Sequence, residues 1–360
     1  MKPAQILITG SELLDGIIPE TNSLSIIRLL AKIGIPVKKV VMVRDELGAI
    51  QSGLRVMMKT AGFIFISGGL GPTPDDLTRK AVEKTLKAEA KKTFPNPIGT
   101  APGYMYEKGE SIIFLLPGVH DELVAVLKSI LRYLKGRFRL QPLSRFPLRT
   151  IGIGESHLME LLSDLEVRYY PTIFGVDLYF KTESDRRKAR HRIRPYIYSI
   201  KEPLEVKIGR LLKKRGLHLS VAESCTGGML GSLITQVSGS SRYFLGGIIA
   251  YDNRVKEKVL GIPERVLTTE GAVSLRTALL MAKGVRKLLG TDFGIGITGI
   301  AGPTGGTREK PVGLVYISIS GREFDYGLKY RFTGDRFRIR VRACYHALDL
   351  LRRYLEGAII

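Results

Sequence analysis

The residues best suited to chemistry lie in one short segment, where Ser224 is followed by Cys225-Thr226-Gly227-Gly228 between a strand-like and a helix-like run. This turn would place the Ser224 hydroxyl beside backbone N–H groups at a helix N-terminus, and such donors can stabilise the oxyanion of an acyl-transfer intermediate. The pattern Gly-x-Ser-x-Gly does not surround Ser224, so an α/β-hydrolase fold is not the explanation. A helix-capping role for Ser224 fits equally well. Cys225 is a rival nucleophile, although a buried structural thiol is the more common case.

A nucleophilic serine needs a base, and none of the five histidines stands in a comparable glycine-rich turn. A lysine can serve when desolvation and neighbouring cations lower its pKa. Residues 251–256 follow the apolar run 247–250 and contain Tyr251 and Lys256. This segment is therefore a candidate source of the base.

A second glycine-rich segment, residues 297–307, follows another predicted strand and contains Thr298, Gly299 and Gly302. Its glycines would let the backbone approach a ligand closely, and successive N–H groups can form a nest that binds an anion. A mobile loop without function is the alternative. Three arginines lie at the start of the final predicted helix: Arg336, Arg338 and Arg340. They could bind a phosphate or a carboxylate in forked geometry, yet surface arginines on a helix need no function.

In the N-terminal part, a glycine-rich turn follows a buried strand and precedes a predicted helix. It contains six candidate residues: Gly68, Gly69, Gly71, Thr73, Asp75 and Asp76. The glycines would allow close approach to phosphates, and the Asp75–Asp76 pair could bind a divalent cation that bridges them. An aspartate that only caps the helix is the alternative. Three further polar residues lie at predicted strand or helix ends and would converge on the same sheet edge: Glu12, Asn22 and Asp45.

The composition excludes several classes of protein. The chain has 360 residues, is 44% hydrophobic and carries 56 Lys+Arg against 34 Asp+Glu, a formal net charge of +22. That apolar fraction excludes a mainly disordered basic tail, and the spread of the charge favours anionic small molecules as much as DNA. We expect no signal peptide and no membrane span. The two cysteines, Cys225 and Cys344, exclude a disulfide framework, so a cytoplasmic protein is expected.

The order of the predicted elements indicates an α/β fold in three parts. Over residues 1–143, short apolar strands alternate with amphipathic helices, which predicts a parallel sheet covered on both faces. Residues 144–200 predict a small α+β linker module, and residues 201–360 a further α/β domain that ends in a helix over 336–355. Ligands bind such sheets beyond the C-terminal strand ends, where the candidate residues lie. The basic run 186–192 is more typical of a solvated helix face than of a phosphate site.

Several long motifs together resemble the CinA family. The N-terminal motifs are residues 10–16 with Thr21-Asn22, 68–76, 99–103 and 116–119. The C-terminal motifs are residues 222–228, 251–256, 298–306 and 333–340. Their order covers almost the whole chain. The resemblance implies an N-terminal three-layer α/β domain of the molybdopterin-binding type, a small α+β (KH-like) linker module, and a C-terminal α/β amidohydrolase domain.

The resemblance implies that the C-terminal domain deamidates nicotinamide mononucleotide (NMN) to nicotinic acid mononucleotide and ammonia, without a cofactor. By position, Ser224 resembles the nucleophile, Lys256 its base and Tyr251 a helper in proton transfer. Thr298 and Arg338 resemble residues that contact the substrate. Ser224 would attack the carboxamide carbon, and water would later release the acid. The backbone of two glycine-rich turns would hold the oxyanion and the substrate: Thr226, Gly227, Gly228, Gly299 and Gly302.

For the N-terminal domain, the resemblance implies an ADP-ribose pyrophosphatase that needs a divalent metal ion (Mg²⁺, Co²⁺ or Mn²⁺) and is aided by potassium. Metal-assisted attack suits the Asp75–Asp76 pair, with Glu12 or Asp45 near the ion. The nucleotide site would comprise Glu12, Asn22, Asp45, Gly68, Gly69, Gly71, Thr73 and Asp76. Two features depart from the family pattern, because the stretch 87–94 is shorter and Glu46 replaces the usual asparagine. Altered or lost pyrophosphatase activity is therefore an alternative.

The resemblance further implies a homodimer that acts in pyridine nucleotide recycling, with NMN and ADP-ribose as small-molecule partners. Two other interpretations stay open at this point. One is a protein that binds nucleotides or pterins without turnover, which the full set of C-terminal residues disfavours. The other is a DNA-associated competence protein, which the charge of +22 suggests. Nucleic-acid binding as the main function and a membrane partner are not expected.

Overall fold

A computed structural model describes residues 3–140 and 147–358. It divides the chain into two compact units, Met1–Ser144 and Arg145–Ile360. The predicted boundary between residues 143 and 144 lies outside the described residues, and the division into three parts stays a prediction. Within the described ranges, no helix combines the length and the apolar character that crossing a membrane requires.

The first unit is built on a six-stranded sheet with helices on both faces. Its strands are β1 Ala4–Thr9, β2 Val37–Val43, β3 Phe63–Ser67, β4 Lys92–Phe94, β5 Gly103–Lys108 and β6 Ser111–Leu116. Its helices are α1 Ser11–Leu14, α2 Asn22–Ala31, α3 Leu47–Met58, α4 Thr78–Leu86 and α5 His120–Arg137. The strand order is β2-β1-β3-β6-β5-β4. One core cluster lies under α2 and α5 and another under α3 and α4, so the predicted three-layer α/β fold is confirmed.

The expectation of an all-parallel sheet is wrong at one edge. Strands β2, β1, β3 and β6 are parallel, but β5 and β4 run antiparallel to their neighbours. The reason is the connection between β5 and β6, which consists of Gly109 and Glu110 alone. A parallel crossover needs a dozen or more residues, whereas two residues suffice for a hairpin, and Gly109 adopts a φ of 57° there.

The second unit begins with a small antiparallel sheet in the order β10-β7-β9-β8. Its strands are β7 Leu148–Ile151, β8 Val167–Pro171, β9 Gly175–Phe180 and β10 Ile197–Ser199, and its helices are α6 Glu155–Leu161 and α7 Glu183–Arg192. Sequence patterning predicted neither β8 nor β10. Edge strand β8 has no fully buried residue, and β10 is three residues long, so neither has a clear period-two signal. On the basic helix α7, only Ala189 is buried.

The rest of the second unit forms a five-stranded sheet in the order β12-β11-β13-β14-β15. Its strands are β11 Leu219–Glu223, β12 Phe244–Ile249, β13 Phe293–Gly299, β14 Leu314–Ser320 and β15 Asp325–Arg331. Its helices are α8 Leu204–Arg215, α9 Met229–Thr235, α10 Asn253–Lys258, α11 Glu264–Thr269, α12 Leu275–Leu289 and α13 Arg336–Leu355. Only β12, β11 and β13 are parallel. Asp335 caps α13 by accepting the Arg338 N–H.

The glycine at the end of β3 provides a test of the N-terminal fold. Gly68 has a φ of +105°, and a Cβ placed there would lie 2.3 Å from the backbone oxygen of Thr9. We expect Gly68→Ala to lower the free energy of unfolding by about 1–3 kcal/mol, measured by urea denaturation. Gly48→Ala in α3 is the control, because a Cβ there meets nothing within 4 Å. Equal stability of both variants would contradict this account.

Candidate functional site

The register of three parallel strands brings the predicted C-terminal residues together. Glu223, at the end of β11, pairs with Ile249 of β12 and with Ile297 of β13. Ser224, the next residue, is buried, and its N–H donates to the oxygen of Ile297 at 2.9 Å. Neighbouring strands lie about 4.8 Å apart, so Tyr251 and Thr298 extend from the strand ends on either side of Ser224.

A buried carboxylate holds the turn that follows Ser224. Glu223 is 1% exposed and accepts hydrogen bonds from the N–H groups of Gly228, Leu230 and Gly231 at 3.0, 3.0 and 2.8 Å. These three N–H groups lie at the N-terminus of α9, where the helix itself contains no acceptor for them. Glu223 therefore caps α9 and ties that helix to β11, a role that the sequence did not suggest.

The predicted oxyanion donors are only partly available. The Gly228 N–H donates to Glu223, and the Gly227 N–H donates to the Ser224 oxygen at 3.2 Å, so their use for an oxyanion is wrong. The Thr226 N–H has no hydrogen-bond partner in the described part of the chain. The Thr226 Oγ1 is also buried without a partner there. Thr226 thus carries two polar groups without a partner among the described residues.

Lys256 lies in α10 and is only 1% exposed. Its Nζ donates to the backbone oxygen of Tyr251 at 3.0 Å. Burial lowers the pKa of Lys256, while Asp252 and the nearby Cys225 thiol oppose that shift. No hydrogen bond joins Lys256 to Ser224 within the described residues, and such catalytic contacts are often loose without substrate. The structure therefore supplies a desolvated amine near the turn of Ser224.

Two arginines of α13 donate hydrogen bonds to residues of this site, whereas the predicted Arg338 lies beside Asp335. Arg336 donates to the Gly302 oxygen at 2.7 Å and to the Tyr251 hydroxyl at 3.2 Å. Arg340 donates twice to the Thr226 oxygen, at 3.3 and 2.6 Å. The Arg338 side chain is 61% exposed, and its guanidinium lies 3.7 Å from Asp335. Residues four apart share a helix face whereas residues two apart do not, which explains the correction.

The remaining predicted residues of this site serve mainly structural contacts. Thr298 is fully buried and donates its hydroxyl proton to the Ala272 oxygen at 2.7 Å. A Cβ at Gly299 would lie 2.6 Å from a backbone oxygen of β14, so this glycine permits close packing.

Burial raises the pKa of the Cys225 thiol to about 12. That shift suppresses the thiolate and argues against Cys225 as a nucleophile.

A cavity of about 640 Å³ lies at the carboxyl ends of β1, β3 and β6 in the first unit. Every predicted N-terminal residue except Thr73 lines it: Glu12, Asn22, Asp45, Gly68, Gly69, Gly71, Asp75 and Asp76. Thr73 contacts it indirectly, because its N–H donates to Asp76 Oδ2 at 2.9 Å and its hydroxyl lies 2.5 Å from the same oxygen. The cavity is also lined by residues that were not selected as site residues from the sequence: Ser67, Thr100, His120 and Glu122.

Several carboxylates of this cavity accept hydrogen bonds from neighbouring residues. No group of three or more His, Cys, Asp or Glu side chains in residues 3–140 and 147–358 is placed to hold a metal ion. Burial opposes ionisation of Asp76, but hydrogen bonds from Thr73 and Gly71 outweigh it and lower the pKa of this carboxyl. Asp45 accepts the Ser11 N–H at 2.7 Å. Asp75 and Asp76 both line the cavity, and the metal site predicted on this pair stays a prediction.

Comparisons with known proteins match both units. The "CinA C-terminal domain" profile covers residues 201–355, and the "Probable molybdopterin binding domain" profile covers residues 5–136. A CinA-like protein of Thermotoga maritima is 36% identical over an alignment of 409 positions that covers 99% of each chain. This chain belongs to the CinA family. A CinA-like protein of Dictyoglomus turgidum is 37% identical over an alignment of 406 positions that covers 98% of each chain.

Among solved structures, a CinA superfamily protein from Klebsiella pneumoniae is 31% identical, covering 43% of this chain and 96% of that one, with a TM-score of 0.42. The alignment with the Thermotoga CinA-like protein runs over 409 positions, whereas this chain has 360 residues. That CinA relative therefore carries segments that this chain lacks. Between α4 and β4, only residues 87–91 connect the two elements here.

The Glu223 cap can be tested by its effect on stability. Glu223→Gln replaces one acceptor oxygen by an NH₂ group that faces backbone donors, so at least one buried N–H loses its partner. We expect the free energy of unfolding to fall by about 1–3 kcal/mol, measured by chemical denaturation. The control is Glu257→Gln, an exposed residue of α10, which should change stability by less than about 0.5 kcal/mol. A neutral Glu223→Gln would show that the cap does not stabilise the turn.

Proposed function

We propose that the second unit is a nicotinamide-nucleotide amidohydrolase that converts NMN and water to nicotinic acid mononucleotide and ammonia. The observation that carries the proposal is the buried amine of Lys256 near the Ser224 turn, with its pKa lowered by burial. A lysine whose pKa is lowered loses its proton more readily, and the neutral amine that results can accept the proton of a serine nucleophile. Family membership is consistent with this activity but does not by itself specify it.

The proposed reaction proceeds through an acyl-enzyme. Ser224 Oγ forms a bond to the carboxamide carbon and gives its proton to Lys256 Nζ. The oxyanion accepts the N–H of Thr226, and collapse of the intermediate breaks the C–N bond as Lys256 returns the proton to the leaving ammonia. Water then attacks the ester carbon, gives its proton to Lys256, and releases the acid as Ser224 regains its proton.

Substrate binding is assigned to the loop and helix that meet at Arg336. Its guanidinium donates hydrogen bonds to the Gly302 oxygen and to the Tyr251 hydroxyl, so it holds together two segments that were predicted to form the site. The side chain of Tyr251 is 62% exposed and can therefore reach a ligand. A nucleotide phosphate would gain from a guanidinium presented beside a glycine-rich loop.

For the first unit we propose nucleotide binding, with ADP-ribose pyrophosphatase as its activity. The cavity of about 640 Å³ is large enough for a nucleotide, and Gly68, Gly69 and Gly71 line it. No step is assigned to a metal ion here, and the divalent-metal site predicted on Asp75 and Asp76 is part of the same proposal. A homodimer and a role in pyridine nucleotide recycling are part of the same proposal, and light scattering of the purified chain tests the homodimer.

The nucleophile and base can be tested by measuring ammonia release from NMN. We expect Ser224→Ala and Lys256→Met each to lower kcat by about 10²- to 10⁴-fold, because each removes one member of the proton-transfer pair. Cys225→Ala is the control and should keep at least about half of the activity. Wild-type turnover in either the Ser224 or the Lys256 variant would refute the proposed pair. Stabilisation by NMN without any turnover would instead indicate a binding protein.

The choice between the arginines gives a second test. Arg336→Ala should raise KM for NMN by about 10-fold or more, since it removes the cation that orders Tyr251 and Gly302. Arg338→Ala should change KM by less than about 2-fold, because that side chain pairs with Asp335 and is two residues from Arg336 on the helix. The reverse pattern would restore the assignment based on sequence.

The pH dependence follows from the lowered pKa of Lys256. The neutral amine is the active form, so kcat should rise with pH and level off below the ordinary lysine value of 10.5. Because the folded chain binds this proton less readily than the unfolded chain, Lys256→Met should gain stability relative to wild type at low pH and lose that gain as pH rises. Denaturation at several pH values measures this, and a pH-independent difference would contradict it.

A further inference from the structure

His120 is the first residue of α5 and lines the N-terminal cavity. Its Nδ1 lies 3.1 Å from the Oδ1 of Asn22, which begins α2 and lines the same cavity. The two residues are 98 positions apart in sequence. Sequence patterning gave no reason to select this histidine, because its partner is supplied by a different helix.

The orientation of the Asn22 amide is set by its other contacts. The same terminal nitrogen lies 2.6 Å from the backbone oxygen of Gly118 and 3.2 Å from Ser67 Oγ. A carbonyl oxygen can only accept a hydrogen bond, so the atom that faces Gly118 must be the amide nitrogen. Ser67 in turn donates to the oxygen of Pro117 at 3.1 Å, which leaves its own oxygen free to accept from Asn22. Asn22 Oδ1 therefore faces His120 as an acceptor.

This orientation determines the tautomer of His120. An acceptor at Oδ1 requires that His120 Nδ1 carry a hydrogen, so in the neutral imidazole Nε2 holds the lone pair. No hydrogen bond within the described residues uses Nε2. A histidine with one nitrogen held by an amide oxygen and the other unoccupied has the arrangement of a positioned general base.

We propose that His120 is a catalytic residue of the N-terminal cavity, acting as the general base that deprotonates water, and that Asn22 is its positioning residue. The proposal rests on the pyrophosphatase activity proposed above. Water oxygen would bond to one phosphorus of a nucleotide phosphoanhydride while its proton passes to His120 Nε2. The bridging P–O bond breaks, the second phosphate leaves with the electron pair, and the proton is later released to solvent.

The other cavity residues are less suited to this role. Asp45 accepts hydrogen bonds from Ser11, Asp76 from Thr73, and Glu122 from the Asn96 amide at 2.6 Å. Glu12 and Asp75 are carboxylates, which are weaker bases near neutral pH than an imidazole. His120 is thus the cavity residue whose chemistry and geometry both suit proton abstraction.

The test uses the full chain and ADP-ribose, with cleavage followed by chromatography and binding by calorimetry, each with and without Mg²⁺. We expect His120→Ala to lower kcat by about 10²- to 10⁴-fold with little change in the dissociation constant, and added imidazole to restore part of the rate. Asn22→Ala should lower kcat by about 10-fold, and nitrogen NMR should show that His120 no longer favours the Nδ1–H tautomer. His157→Ala, an exposed histidine of α6, is the control and should leave cleavage unchanged.

The outcomes separate the two proposals. If His120→Ala cleaves ADP-ribose at the wild-type rate, the proposed role of His120 is overturned, whereas the pyrophosphatase activity is upheld. A wild-type chain that binds ADP-ribose without cleaving it, or does not bind it, overturns both. Loss of ADP-ribose binding in His120→Ala, with no rescue by imidazole, assigns His120 to binding and also overturns its role as a base.

Discussion

The hydrogen bonds to the buried Glu223 carboxylate are the constraint on which the C-terminal site depends. A charge removed from water must be compensated, and here three backbone N–H groups at the start of α9 do so. The same contacts fix the turn of residues 224–228 between β11 and α9. Arg340 holds that turn from the other side through the Thr226 oxygen. The position of Ser224 therefore follows from two charged side chains that do not themselves react.

The two units share a principle of construction. In each, three or more parallel strands end at one edge, and the turns that follow carry glycines and polar residues. Antiparallel strands complete both sheets away from this edge. Because parallel strands all present their carboxyl ends on one side, residues far apart in sequence meet there without any long excursion of the chain.

The chemistry of the two sites differs because their charges differ. The C-terminal site gathers Lys256, Arg336 and Arg340, and burial weakens the positive charge of the lysine. The N-terminal cavity is lined by carboxylates, several of which are occupied by internal hydrogen bonds. The first arrangement suits nucleophilic attack beside an anionic substrate. In the N-terminal cavity, the imidazole of His120 is the proposed base.

Local patterns were enough to predict α13 with the bounds that the structure has, since its apolar residues recur at helical spacing. The candidate segments around Ser224, Tyr251 and Gly68 were also visible, because glycines beside polar residues at strand ends are a local signal. The antiparallel edge formed by β4 and β5 was not predicted. Strand β4 has only three residues, which give almost no pattern.

The sequence by itself determined which residues could react and that they would lie at the strand ends of two α/β domains. Only the tertiary structure decided which of them meet. Arg336 and Arg340 contact the C-terminal site because of the face on which α13 packs. His120 lies beside Asn22 although the two residues are 98 positions apart in sequence. Burial of Lys256 and the capping role of Glu223 also depend on neighbours supplied by other elements. Such contacts are set by packing between distant segments, which local sequence patterns do not encode.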